Sequence, residues 1–464
     1  MIHDARGFWL ADAGPVEPAP PLEGEATADV VIVGGGYTGM WTAWHLLEAA
    51  PDVRIVLLEA DRCGHGPSGR NGGFLEAQWL QAPELRRRYG DARARAQLEA
   101  SIASLEAIAR WCEEEGVDAG LRRGGYLRVS ASPAQDGAWA EAVAACAALG
   151  LGDELRPLSA EEVRARCDSP AFRGGVLAPR GATVHPARLA LGLRRRLLER
   201  GVAIRERSPV VALREEAGQV TAETAGGRVR AGAGVLAAGA RIMGVRSLRR
   251  RLTVASSHAC ATEPVPDVLD RLGWRGGECI ADYRTFLHYF RVTPDDRVVF
   301  GWAGGRIGCG RRVGGLLEVD PDPIAEARRA LARLLPPLAD RAITHAWGGP
   351  IDVSPTHLPF AGTLPGGRVH YAAGYTGNGV GPTHLAGRAL AALALDRRDA
   401  VTRLPLVEPE PVGVPPEPLR WLGGSLVRRA VLRAERLEDE GRRPDPLSAF
   451  VRALPGRLGI HLGR

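Results

Sequence analysis

The sequence contains no lysine; all 60 of its basic residues are arginine. That excludes a Schiff-base lysine, a P-loop lysine and a lysine general base. No uncharged apolar run approaches the ~18 residues of a membrane-spanning helix. The first residues, "MIHDARGFWLADAG", lack the apolar core of a signal peptide. The expectation is a soluble cytoplasmic protein. The seven cysteines (63, 112, 146, 167, 260, 279, 309) are odd in number and show no CxxC spacing. They offer neither a disulfide framework nor a metal site and read as reduced thiols. A net charge of +6 is spread over 464 residues, and no basic cluster is interleaved with aromatics. Nucleic acid is therefore not an expected partner, and the charge gives no sign of membrane binding.

What is present is ordinary globular material: 45% apolar and 25% charged residues, in a chain long enough for two domains. Residues 1–27 read as an extended lead-in. Then "DVVIVGGGYTGMWTAWHLLEAA" gives a buried strand, a glycine turn and a helix, and "VRIVLLE" a second buried strand, which together form a βαβ unit. Gly34 to Gly39 fit G-x-G-x-x-G. Gly34 makes the tight turn, Gly36 lets the backbone approach a pyrophosphate, and Gly39 lets helix and strand pack closely. Tyr37 and Thr38 open the helix whose N-terminus faces that pyrophosphate. Glu59, followed by Ala60, ends the second strand, where an acidic side chain accepts ribose hydroxyls. An ADP moiety is implied; NAD and FAD both fit these residues.

Two further glycine loops narrow the choice. "GPSGRNGG" (66–73) follows the second strand. Ser68 and Asn71 are candidates for hydrogen bonds to phosphate or flavin edges. Arg70 either neutralises pyrophosphate or packs across the loop, and Gly72 permits close approach. "GYTGNGVG" (374–381) precedes an apolar helix. Gly377, Gly379 and Val380 aim main-chain N–H groups, and Asn378 a side chain, at a developing negative charge. An NAD enzyme has no use for these loops, whereas an extended FAD needs several. Elsewhere the pattern predicts helices over 84–115, 134–168 and 185–201, and strands over 124–130, 202–206, 209–214, 219–224, 228–230 and 232–240. A hairpin is predicted over 286–302, with "TPDDR" as its turn. The run "RRAVLRAERLEDEGRRPDP" reads as a solvated helix against the cofactor domain.

"ADVVIVGGGYTG", "LLEADRCGHGPSGRNGG", "GATVHPARLA", "VLAAGA", "YFRVTPDDRVVFG" and "WGGPIDVSPTHLPFAG…GYTGNGVG" occur in that order. The chain thereby resembles the D-amino-acid oxidase/glycine oxidase superfamily, and within it the γ-glutamylputrescine-oxidase-like branch. The resemblance implies a mixed α/β fold in which an FAD-binding Rossmann-like domain (28–85, 170–250, 345–400) is interleaved with a β-sheet substrate domain (86–169, 251–344). A helical tail (401–464) follows. It also implies non-covalent FAD, an adenine-facing valine at Val210, and a backbone turn near the ADP half at Ala238–Gly239. The implied reaction is hydride transfer from a C–N carbon of a small amine or amino acid to flavin N5, giving an imine that water hydrolyses. In sarcosine-oxidase-like relatives a lysine assists O2 reduction, so a chain without lysine leaves O2 and another acceptor both open. For the substrate side, "FLHYFRV" alternates. One face offers Tyr289 and Arg291 for a carboxylate, and the other offers Phe286, His288 and Phe290. His258 in "SSHAC" is a candidate to polarise or deprotonate substrate, and Trp347 a candidate neighbour of the flavin ring. The competing functions are an NAD-dependent dehydrogenase and a non-catalytic dinucleotide-binding scaffold.

Overall fold

The computed structural model describes residues 2–462 apart from 4, 5, 311, 409 and 411, with backbone only at 2–3. The outermost residues of the expected terminal segments (1, 463 and 464) lie outside it. Two sheets organise the described chain, one of nine strands and one of eight.

At the centre of the eight-stranded sheet, five strands run parallel side by side: Val369–Ala373, Gly227–Leu236, Gly24–Val33, Ile55–Leu58 and Ala203–Arg205. Their apolar runs are those of strands covered on both faces. Residues Val30 to Ile32 and Leu57 are at most 2% exposed. The segments expected at 228–230 and 232–240 are one strand, Gly227–Leu236. Its first half carries the hairpin Val210–Glu216/Gln219–Thr224, and its second half pairs with Val369–Ala373. The helices Tyr37–Ala49 and Val380–Ala394 each follow one of these parallel strands and pack against each other.

The nine-stranded sheet runs in the order Ile2–His3, Ile343–Val353, Thr253–Thr262, Val298–Trp302, His288–Val292, Cys279–Asp282, Tyr126–Val129, Gly175–Ala178, Arg156–Leu158. The predicted hairpin is present as two of its central strands. Three expectations need correction. Strands Ile343–Val353 and Gly175–Ala178 pair in this sheet, although they fall mostly within the spans 345–400 and 170–250 expected of the cofactor domain. The lead-in is not extended throughout: residues 2–3 add an edge strand, and helix Gly7–Asp12 buries Phe8, Trp9 and Leu10. The span 134–168 is broken by strand Arg156–Leu158 between helices Ala140–Ala148 and Ala160–Arg164.

The tail contains helices Leu419–Asp439 and Pro446–Arg457. Arg420 at the start of the first donates to the carbonyls of Arg249 and Leu252, but from Arg428 on the helix packs beside the substrate sheet, not on the cofactor domain as expected. Arg428 donates to the carbonyls of Gly304 and Gly305, and Glu435 accepts from Thr285 N–H. The helix predicted over 84–115 is Ala82–Glu114. It bends at Gly90, whose φ of +74° is not helical.

Candidate functional site

Because four of the central strands are parallel neighbours, their C-terminal ends share one edge of the sheet. The residues that leave those ends are Gly34, Glu59, Ala237 and Gly374. This edge is where open α/β sheets bind ligands. Gly34 has φ +115°, and a Cβ there would collide with the Ala237 carbonyl; a Cβ on Gly39 would collide with the Gly34 carbonyl. Gly36 differs. Its φ of −81° is ordinary, and a Cβ would meet only Ser68 Oγ at 3.1 Å. The helix that follows has no side-chain cap in the usual sense; Tyr37 N–H donates across to Ser68 Oγ at 2.8 Å. Glu59 accepts from Gly35 N–H at 2.7 Å and Asp61 N–H at 2.9 Å, one on each carboxylate oxygen. Burial raises its pKa against those bonds. Each oxygen keeps a lone pair for a ribose hydroxyl. Ala60 beside it is exposed. Val210 and Ala238 are half-buried with Val33 against one apolar cluster, and Gly239 turns at φ +51°.

The second loop is locked to the first. Ser68 makes the link to Tyr37 just described. Asn71, expected at phosphate or flavin edges, is turned inward. Its amide donates to the carbonyls of Pro67 (3.0 Å) and Ser68 (2.9 Å), and its oxygen accepts from Gly73 N–H at 2.7 Å. A short loop of this glycine content needs an internal brace, and the side-chain amide supplies it. Arg70 follows the second of its two expected courses. Its chain packs across the loop towards Gly349 and Glu318, with NH1 3.9 Å from the Glu318 carboxylate, and burial lowers its pKa. Trp347 Nε1 donates to the Arg70 carbonyl at 2.7 Å, tying the loop to the substrate sheet. Gly72 leaves room for Tyr289, whose ring would lie 3.1 Å from a Cβ there.

The third loop is tied in as well. Thr38 Oγ1 donates to the Tyr375 hydroxyl at 2.9 Å, and Asp352 accepts from Gly374 N–H at 2.6 Å. Burial pushes the Asp352 carboxyl up to about 6 although that N–H pulls it down. Thr376 (φ +53°) and Gly377 (φ +86°) both turn through the left-handed region. Asn378 is exposed, and helix Val380–Ala394 starts at Gly379 with no side-chain cap. Both glycine-capped helices thus present main-chain N–H groups at the same sheet edge, where they favour anionic ligand groups. An extended dinucleotide fits this arrangement. At Gly36 an added Cβ would meet no protein atom but Ser68 Oγ, unlike at Gly34 and Gly39.

The substrate sheet has two distinct faces. Ser257 Oγ lies 2.9 Å from the Tyr289 hydroxyl, and the Tyr289 ring stands edge-on to Phe74 at 5.8 Å. This is the face turned to the cofactor domain. Burial raises the Tyr289 phenol to about 12 against the Ser257 hydrogen bond. His258 lies one residue on, opposite Trp302 and Gly348, and Trp302 lies opposite His288. Strand alternation therefore puts His258 and His288 on the far face. This corrects the expected role of His258, which is fully buried, with both ring nitrogens unpartnered, and held down to about 4 by burial. Arg291 is on the cofactor face, but its NH1 donates to the carbonyls of Val184 (2.5 Å) and Gly73 (3.3 Å). Its expected part in carboxylate binding is replaced by a brace under the glycine loop. It is 1% exposed, and burial lowers its pKa to about 10.

The family model for FAD dependent oxidoreductases matches residues 29–393. The chain belongs to this family. It is 31% identical over 415 residues to the gamma-glutamylputrescine oxidoreductase of Escherichia coli K12, covering 87% of this chain and 93% of that one. It is 28% identical to the glycine oxidase of Pseudomonas putida, over 73% and 86% of the two chains. The structure resembles the crystal structure of glycine oxidase from Geobacillus kaustophilus with a TM-score of 0.68, at 20% identity and over 82% of this chain and 98% of that one. The protein is an FAD-dependent oxidoreductase. No described helix is long and apolar enough to cross a membrane.

Sequence reasoning missed two buried charged residues, one on the cofactor face of the substrate sheet and one facing it. Arg128, in the strand expected over 124–130, and Glu76, just beyond the second glycine loop, are 7% and 6% exposed. The available signal was the alternation in "YLRV", which puts Tyr126 and Arg128 on one face of a strand buried throughout. Burial pushes the Glu76 carboxyl up to about 7, opposed by the Arg128 charge. The sign of the pH effect follows. Between its ordinary value of 4.5 and about 7 the unfolded chain has released this proton and the folded protein has not, so stability falls as pH rises through that window. Glu76→Gln is expected to flatten this slope, as measured by urea midpoints at pH 5 and 7.5. An unchanged slope would show that Glu76 ionises normally in the fold.

Proposed function

We propose that the protein oxidises a C–N bond of a small amine or amino acid, the resulting imine being hydrolysed by water. The observation that carries this reading is the pairing of one cradle with one polar sheet face. Loops 34–39, 66–73 and 374–381 are joined through Tyr37–Ser68 and Thr38–Tyr375. Opposite them stand Tyr289, Ser257 and Arg128, with Glu76 reaching in from the cofactor side. Bound FAD supplies a hydride acceptor at N5. The chain's part is to hold it: Glu59 takes the ribose, the helix starting at Tyr37 faces the pyrophosphate, and the helix starting at Val380 favours negative charge at the flavin's pyrimidine edge. Two of the relatives named above are called after an amine-bearing compound and an amino acid, which supports the substrate class.

Attachment is read as non-covalent. Cys63 is buried beneath Gly35, and burial raises its thiol pKa well above the ordinary value. The test is direct. The purified protein is expected to be yellow, to release its chromophore on acid precipitation, and to bleach anaerobically with a member of a panel of polyamines, N-methyl amino acids and simple amino acids. Re-admitting air then identifies the acceptor: an immediate return of colour marks O2, and continued bleaching marks another oxidant. A yellow protein bleached by nothing in the panel would overturn the proposal in favour of a non-catalytic dinucleotide-binding scaffold.

A further inference from the structure

Three residues stand in a row across the cofactor face of the substrate sheet: Tyr289 opposite Ala281, and Ala281 opposite Arg128. Adjacent strands are ~4.8 Å apart, so the outer two are about 10 Å apart. The middle residue is an alanine, which leaves the space between a tyrosine and an arginine unfilled by any side chain of that row.

Arg128 is poorly satisfied for a buried guanidinium. It reaches the Tyr126 hydroxyl at 3.4 Å and lies over the Tyr283 ring at 4.3 Å. Its Nε has no partner, and neither does the Tyr283 hydroxyl, on a residue 2% exposed. No carboxylate among the described residues lies within ion-pair distance of it. Buried charges are normally paired, and leaving one without its counter-ion is costly. Glu76 enters from the cofactor side. Its carbonyl would lie 2.6 Å from a Cβ on Gly381, in the first turn of the helix that closes the cradle. The Arg128 charge acts on its carboxylate from beyond ion-pair distance. Above about pH 7, where Glu76 is ionised, two opposite charges, both buried and neither within ion-pair distance of a partner among the described residues, therefore stand at the cofactor side of this row.

We infer that Arg128 and Glu76 form a recognition pair for a substrate that carries both a carboxylate and an amine. Arg128, with the Tyr283 hydroxyl, takes the carboxylate, and Glu76 takes the ammonium. This rests on the reading of the protein as an FAD-dependent oxidoreductase of amines or amino acids, and it narrows the substrate to amino acids. Transfer of one proton from the ammonium to the Glu76 carboxylate leaves a neutral amine and a neutral carboxylic acid. The substrate carboxylate then remains paired with Arg128, and the nitrogen lone pair needed for hydride release is free.

The test uses the yellow holoenzyme and three probes of one carbon skeleton: racemic alanine with both charges, propionate with the carboxylate alone, and ethylamine with the ammonium alone. Binding is read from perturbation of the flavin absorbance and from the melting temperature, neither of which needs turnover. Arg128→Gln is expected to weaken propionate and alanine tenfold or more and to leave ethylamine within twofold. Glu76→Gln is expected to weaken ethylamine and alanine and to spare propionate. Arg128→Lys is expected to recover part of the propionate binding, which distinguishes recognition from damage to the fold. Equal propionate binding by wild type and Arg128→Gln overturns the inference, as does equal weakening of all three probes in both variants. A colourless protein would instead refute the cofactor reading on which the inference rests.

Discussion

Replacing Gly36 with valine is expected to give a folded protein that has lost its yellow colour. Gly36 sits in ordinary extended backbone, φ −81° and ψ −178°, which valine adopts readily. Within the protein, a Cβ there meets only the Ser68 hydroxyl, at 3.1 Å. The remainder of a valine side chain would occupy the approach of the pyrophosphate to the helix N-terminus. Overpacking of this kind costs ~1–3 kcal/mol, and the main-chain hydrogen bonds to phosphate are lost with it, so FAD affinity is expected to fall roughly 100-fold or more. Gly39→Val is the contrasting control. Its side chain would be driven into the Gly34 carbonyl, so the apoprotein itself is expected to be destabilised. Flavin content per folded protein, measured by absorbance alongside circular dichroism, separates the two. A Gly36→Val protein that purifies with one FAD per chain would falsify the placement of the pyrophosphate.

The second large effect is on stability. Arg194 and Glu206 form a two-pronged pair, Nε to Oε1 at 2.8 Å and NH2 to Oε2 at 2.9 Å, with side chains 8% and 1% exposed. Glu206 also accepts from Cys63 N–H at 2.8 Å and Ala19 N–H at 2.6 Å. The pair therefore joins the lead-in, the segment before the second glycine loop and helix Pro186–Glu199. Arg194→Leu leaves a buried carboxylate without its cation, a change that costs about 3–5 kcal/mol. In the native protein burial opposes ionisation of Glu206, but Arg194 and the two N–H groups outweigh it and hold the pKa below the ordinary value of 4.5. Its contribution to stability is therefore present above pH 4.5 and is lost as pH falls through the lower folded value. With Arg194 gone, burial dominates and the sign reverses, because the variant must bury an ionised carboxylate or keep its proton. The penalty is expected to be largest near pH 7 and to narrow towards pH 4.5, as read from urea midpoints. A penalty independent of pH would mean that the loss is one of packing alone.

Much of the cofactor domain was legible because each signal is local. A continuous apolar run, a glycine turn and an amphipathic stretch identify strand, turn and helix without reference to the rest of the chain. The substrate side was less legible for a physical reason. Which face of a strand meets the cofactor is set by packing against segments a hundred or more residues away, such as Gly73 and Val184 beside Arg291. In "FLHYFRV" the alternation was visible and the direction was not. His258 was read as a candidate to act on substrate yet lies on the far face, and the side-chain amide of Asn71 was aimed outward when it braces its own loop. Arg291 and Arg128 show the same limit. Both are buried arginines on one sheet face, yet one spends its hydrogen bonds on the carbonyls of Gly73 and Val184 while the other retains an unpartnered Nε. Sequence pattern carries no information about that difference. The chain has only two asparagines, Asn71 and Asn378, and both lie in cradle loops.

The order of the parallel strands sets a schedule for synthesis. Strand Gly24–Val33 is made early, but its neighbour Gly227–Leu236 comes about two hundred residues later, and the outer strand Val369–Ala373 later still. A nascent chain emerging at ~5–20 residues per second thus spends tens of seconds with the first two glycine loops made and the third still to come. Ligand binding stabilises only a chain that has a site. FAD therefore cannot protect the growing polypeptide and acts only once the segment around Gly379 has left the ribosome. A shortage of flavin would be felt by finished chains waiting for cofactor, not by chains still being translated.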